Sequence, residues 1–92
     1  MVTAIVLINA ERMSIPSTAQ QLADIEGVAE VYSVSGEFDI IAVARVHEYD
    51  ELATLVTERL LKIPEITGTK TLMAFRTYSK QDLEHVFDIG AQ

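Results

Sequence analysis

VYSVSGEFDIIAVARV, residues Val31–Val46, reads as strand, tight turn and strand. Val31–Ser35 alternates and is rich in β-branched and aromatic residues, and Asp39–Val46 is almost continuously apolar. Gly36-Glu37-Phe38-Asp39 between them is short enough for a hairpin connection. Gly36 is free to take a positive φ, and Asp39 can hydrogen-bond nearby backbone amides. A carboxylate, an aromatic ring and free backbone amides thereby converge at the end of a sheet. No catalytic constellation competes with them, so a small binding and association domain is the better reading.

Working outward, the N-terminal side holds Val28–Ser35 as the full second strand and a helix over Ser17–Ile25, with Ala19, Leu22, Ala23 and Ile25 as its apolar stripe. Pro16 suits its first turn, Ser14 or Ser17 its cap, and Gly27 its C′ position. Before it, Val2–Asn9 is a strand that is apolar on both faces. On the C-terminal side a second helix is predicted over Tyr49–Lys62, from Leu52, Leu55, Val56, Arg59, Leu60 and Ile63 at helical spacing. Acids gather at its start (Glu48, Asp50, Glu51) and bases at its end (Arg59, Lys62), matching the helix dipole. Pro64 stops it and Gly68 breaks the following loop. Thr69–Tyr78 is the fourth strand, and Lys80–Phe87 a short C-terminal helix.

The order βαββαβ, built as two right-handed split βαβ units, specifies an α+β ferredoxin-like fold: a four-stranded antiparallel sheet with two helices on one face. Strand 1 presents Val2, Ala4, Val6 and Ile8 to one side and Ile5 and Leu7 to the other. Strand 3 presents Ile40, Ala42, Ala44 and Val46 against Ile41 and Val43. Helices cover one side only, so the second apolar side predicts a two-fold dimer, sheet against sheet, of the dimeric α/β barrel type.

Composition agrees. Residues 1–92 suffice for one domain, since two cores in so short a chain would each be too small. A hydrophobic fraction of 49% is high for that size and points to burial in an oligomer as well as in the monomer core. Fourteen acids against seven bases, formally −7, speak against nucleic-acid binding, which needs clustered Lys and Arg. The absence of cysteine excludes disulfides and thiolate metal sites and fits a cytoplasmic protein. No apolar run approaches the ~20 residues of a membrane span, and the N-terminus has no basic region of a signal peptide.

The segment IEGVAEVYSVSGEFDIIAVARV resembles the central part of the effector-binding domain of the Lrp/AsnC family of feast/famine regulators. That family shows a glycine-valine after helix 1, here Gly27-Val28, and a strand ending in a G-x-x-D turn, here Gly36-Glu37-Phe38-Asp39. A second block is also similar: Pro64, then Ile66, Thr67, Gly68, Thr69 and Thr71 leading into the last strand. The likeness runs from about Val2 to Tyr78. Full-length members carry an N-terminal helix-turn-helix, and this chain begins at strand 1, so the resemblance implies a stand-alone effector domain. It also implies sheet-paired dimers assembled into rings, commonly octamers, with amino acid effectors at the dimer–dimer interface beside the G-x-x-D turn. Full-length family regulators are implied as partners through mixed assembly. The resemblance carries Gly36 and Asp39 over as ligand residues, with Thr69 and Thr71; Tyr32 and Phe38 are added as pocket walls.

An amino acid needs an acceptor for its ammonium, which Asp39 could supply, and donors for its carboxylate, from Gly36 amides and the Thr69 or Thr71 hydroxyls. Plainer readings stand beside these. Asp39 caps the turn, the two threonines are ordinary strand residues, and Phe38 is an oligomer anchor. His47 with Glu48, Asp50 and Glu51 is better explained as an acidic helix start than as a metal site, and His85 and Asp88 lack a third ligand nearby in sequence. No metal or cofactor is expected. Two other functions fit the same fold: a small monooxygenase-like enzyme of the dimeric α+β barrel type, and a structural oligomer without ligand. The first is disfavoured by aliphatic inner faces and by histidines at a strand end and in the tail.

Overall fold

β1 (Val2–Ala10) is the hub of the sheet. It pairs antiparallel with β3 (Ile40–Val46) on one side and with β4 (Ile66–Met73) on the other, while β2 (Val28–Ser33) lies outside β3. The strand order is β2-β3-β1-β4, as the βαββαβ reading requires. This computed structural model describes residues 1–78 and residue 80. The expected C-terminal helix, apart from Lys80, lies outside them, as do His85 and Asp88.

The two-residue period of the strands sets the layers. Ala4, Val6, Ile8 and Ala10 of β1 and Ile40, Ala42, Ala44 and Val46 of β3 are all buried under the helices. Ile5, Leu7, Ile41 and Val43 point to the other face and are half-buried. The helices close the first face through Leu22, Leu52, Leu55 and Leu60. Each large apolar side chain so buried contributes about 1.5–3 kcal/mol relative to exposure.

The first helix, α1 (Ile15–Ala23), starts two residues earlier than the periodicity suggests. A single 3₁₀ turn over Arg12–Ser14 feeds it, and Ser14 sits at the N-cap without capping it by its side chain. The Ser14 hydroxyl donates instead to the Glu11 carbonyl, at 2.8 Å, and accepts from buried Thr18. Gly27 is not the C′ residue of α1, whose C-cap is Asp24. It occupies the third position of the turn Ile25–Val28, closed by Val28 N–H to the Ile25 carbonyl at 3.1 Å, where its φ of +96° is needed.

The second helix covers the expected span in three pieces: α2 (Tyr49–Thr54), a π turn (Leu55–Arg59) and a 3₁₀ turn (Leu60–Lys62). Leu55 and Leu60 are five residues apart, and both are buried. An ordinary helix cannot aim both at the sheet; the wider turn, with the Leu60 N–H reaching the Leu55 carbonyl, does so. Arg59, which the spacing places on the apolar stripe, is thereby displaced outward and exposed.

β4 begins at Ile66 rather than Thr69 and ends at Met73 rather than Tyr78. Gly68 lies inside the strand, opposite Asn9, where the register slips between Asn9 and Ala10, so the glycine marks an irregularity in the ladder and not a loop. At the other end β1 runs out: Ala74 N–H to the Thr3 carbonyl is the last rung, and Phe75–Tyr78 continue exposed. Among the described residues no helix is long and apolar enough to cross a membrane.

Candidate ligand site at the hairpin turn

The hairpin between β2 and β3 is closed by the Val34 N–H donating to the Asp39 carbonyl at 2.9 Å. That leaves Ser35–Phe38 as the loop, with Gly36 at φ +123°. A β-carbon at Gly36 would meet nothing within 4 Å, so the tip is open. Phe38 is half-buried.

Asp39 is tied into the sheet at both ends of the residue. Its N–H donates to the Ile8 carbonyl at 3.0 Å, and its Oδ2 accepts the Ala10 N–H at 3.0 Å. The β1–β3 ladder stops at Ile8↔Ile40, so the carboxylate takes the acceptor place that a longer β3 would have filled. Oδ1 accepts none of the hydrogen bonds found among the described residues. Asp39 thus offers one free carboxylate oxygen beside an open glycine.

Tyr32, on β2, pairs with Ile41 and shares the open face of the sheet. Its hydroxyl donates to Glu30 Oε2 at 2.6 Å, and Glu30 Oε1 lies 3.6 Å from the Arg45 guanidinium. The hydrogen bond to Glu30, then that carboxylate's charge, raise the phenol above its ordinary 10.0, against a smaller opposite pull from Arg45. Reading the strand one residue at a time misses this cluster; the signal is Glu and Tyr two apart, which puts both on one face.

Thr69 and Thr71 lie on β4, opposite Ile8 and Val6, and therefore on the helix side. Thr69 stands in the same row as Ile8 and Ile40, two strand spacings, about 10 Å, from the end of β3. Thr71 lines a cavity of about 260 Å³ between β4 and the second helix, with Tyr49, Leu52, Val56 and Met73. Gly36, Phe38 and Asp39 are together. Tyr32 is on one face of the sheet and the threonines on the other, so a single chain does not gather all six around one ligand. Among the described residues no group of three or more His, Asp or Glu could hold a metal ion; the His47 N–H donates to Glu51 Oε2 at 3.0 Å at the start of α2.

Comparison with known proteins agrees with this architecture. The model of the Lrp/AsnC ligand binding domain matches residues 3–83. An uncharacterized HTH-type transcriptional regulator of Pyrococcus furiosus is 34% identical over 82 residues, which cover 86% of this chain and 55% of the relative. The chain thus spans about half the length of that regulator. A crystal structure of a Thermus thermophilus protein superposes with a TM-score of 0.81 at 38% identity, over 87% of this chain and 100% of that one. A feast or famine regulatory protein of M. tuberculosis, complexed with L-methionine, superposes with a TM-score of 0.71 at 29% identity, over 88% of this chain and 55% of its own. The family model over residues 3–83 and the shared fold concur: the chain belongs to the Lrp/AsnC ligand-binding domain family.

Proposed function

We propose that this domain is a regulatory amino-acid sensor whose ligand sits beside the Gly36–Asp39 turn, at an interface between copies of the chain. The observation that carries it is the free side of the turn: Asp39 keeps one carboxylate oxygen available next to an open Gly36. That oxygen takes the ligand's ammonium, and turn amides with threonine hydroxyls take its carboxylate. Because Tyr32 and the threonines occupy opposite faces of one sheet, a second and third copy supply the walls that one chain lacks. The open apolar face pairs two copies, and further association, with an octamer as the expected assembly, brings β4 of one pair toward the turn of another.

The complex of the M. tuberculosis family member with L-methionine supports the class of ligand. The regulator relatives support a role in transcription control, exerted in the cytoplasm through mixed assembly with full-length regulators and without catalysis. The test is a thermal-shift screen against the twenty amino acids with light scattering on the same samples. A ligand at about 100 times its Kd stabilises the folded state by about 2.7 kcal/mol, so a true effector is easily read. A shift for one chemical class, diminished in Asp39→Asn with the mass unchanged, is the expected result. A flat screen on a well-assembled oligomer overturns it and favours a purely structural assembly.

A further inference from the structure

A larger cavity, about 350 Å³, lies at the opposite end of β3 from the turn. β3 is seven residues long, which sets the two places about 20 Å apart. Val46 and Leu55 form its apolar base, both buried. Gly27 forms a wall that favours glycine. A β-carbon there would stand 2.7 Å from Leu55 Cδ1 and 3.2 Å from Val46 Cγ1, and the φ of +96° is itself a glycine conformation. The Gly27 carbonyl is pinned by the Arg45 N–H at 2.8 Å. The cavity is therefore built from fixed parts.

Its rim carries charge of both signs. The chain has only seven Lys and Arg against fourteen acids, and one of the seven, Arg59, stands at this rim, while Arg45 contributes backbone and turns its guanidinium to the open face. Arg45 is engaged with Glu30, and Arg59 enters no ion pair among the described residues. The π turn is what delivers Arg59 here, by turning it off the buried stripe. Of the two rim acids, Glu51 is engaged by the His47 N–H, which leaves Glu26. Thr54 adds a hydroxyl. A lone anion would meet the Glu26 carboxylate here and a lone cation the Arg59 guanidinium. A molecule with both charges answers both.

We propose that this cavity is a second ligand site, for a small zwitterion carrying an ammonium and a carboxylate. Arg59 holds the carboxylate by a charge-assisted contact, and Glu26 holds the ammonium. The site is independent of the Asp39 turn, since no residue is shared between them.

The experiment is methyl NMR of the full chain, labelled at Ile, Leu and Val, titrated with L-alanine, L-glutamine and γ-aminobutyrate. Butyrate and butylammonium serve as single-charge controls. The expected result is a saturable shift of the Leu55 and Val46 methyls with at least one zwitterion and neither control. Arg59→Gln and Glu26→Gln each weaken it at least tenfold, and Asp39→Asn leaves it unchanged. Both variant positions are exposed, so the methyl spectrum also verifies that the fold is kept. No saturable shift at these methyls, an equal response to butyrate, or an undiminished response in Arg59→Gln overturns the proposal. The turn site is read separately from the Ile8 and Ile40 methyls, whose silence would count against the Asp39 reading alone.

Discussion

The Asp39 carboxylate and the Ala10 backbone N–H, twenty-nine positions apart, meet at 3.0 Å and hold the hairpin turn against the end of β1. The side chain proposed as the ammonium acceptor at the turn is thus also a strut of the sheet. Alanine and asparagine separate the two roles. Asp39→Ala leaves a part-buried N–H without its acceptor and is expected to cost about 1–3 kcal/mol in urea unfolding. Asp39→Asn keeps an acceptor oxygen in the same place and is expected to cost less than about half of that. Both lose the charge, and with it the amino acid response expected at the turn. A response at the Ile8 and Ile40 methyls surviving in the asparagine variant would assign Asp39 to the strut role only.

Gly27 and Gly36 both have positive φ, yet their replacement by alanine should differ sharply. At Gly36 the new methyl meets open space, so only the backbone conformation resists, at about 1–3 kcal/mol. At Gly27 the methyl also drives into Leu55 Cδ1, adding the cost of overpacking, about another 1–3 kcal/mol. Denaturant midpoints of the two variants, compared at unchanged slope, check this. Equal losses would mean that Leu55 moves aside freely.

How far the sequence foretold these features depends on whether their cause is local. Strand alternation in β1 and β3 is a two-residue pattern, so the buried and open faces were legible residue by residue. The span of the second helix was legible too, but not the π turn within it. That turn arises because Leu55 and Leu60 must both reach a sheet surface that exists only after folding. Gly68 looked like a loop breaker because a strand glycine is costly unless a partner strand needs it, and that partner, β1 at Asn9, is far away in sequence. The turn residues Gly36 and Asp39 were identifiable from a motif; the facts that Asp39 braces β1 and that the threonines face the helices come from pairing. Glu26 and Arg59 carried no sequence signal as a pair, since only the tertiary fold sets them around one cavity.

The phenol of Tyr32 donates to Glu30, and the hydrogen bond with the nearby carboxylate charge raises its pKa above 10.0. The folded state therefore holds this proton more tightly than the unfolded chain does. Stability from this contact is complete below the unfolded value and is lost as pH rises through the folded one. A titration of the Tyr32 ring carbons by NMR should place its midpoint above the ordinary value, and Glu30→Gln should bring it back. No change in Glu30→Gln would mean that the hydrogen bond does not persist in solution.

The proposed pairing of copies rests on the open face. Ile5, Leu7, Ile41 and Val43 form an apolar band, flanked by Leu72 at 43% and Tyr32 at 49% exposure. On a single chain these side chains are only half-covered, so a charge at Ile41 can still reach water and the fold should survive. In a pair built sheet to sheet the same charge is buried without a partner, which costs several kcal/mol on each side. Ile41→Lys is therefore expected to reduce the solution mass by light scattering while the far-UV circular dichroism stays that of the parent. Ala42→Lys, one residue along and 1% exposed under the helices, should instead unfold the chain. If Ile41→Lys kept the parent's mass, association would have to run through another surface, and an interface site built on sheet pairing would fall with it.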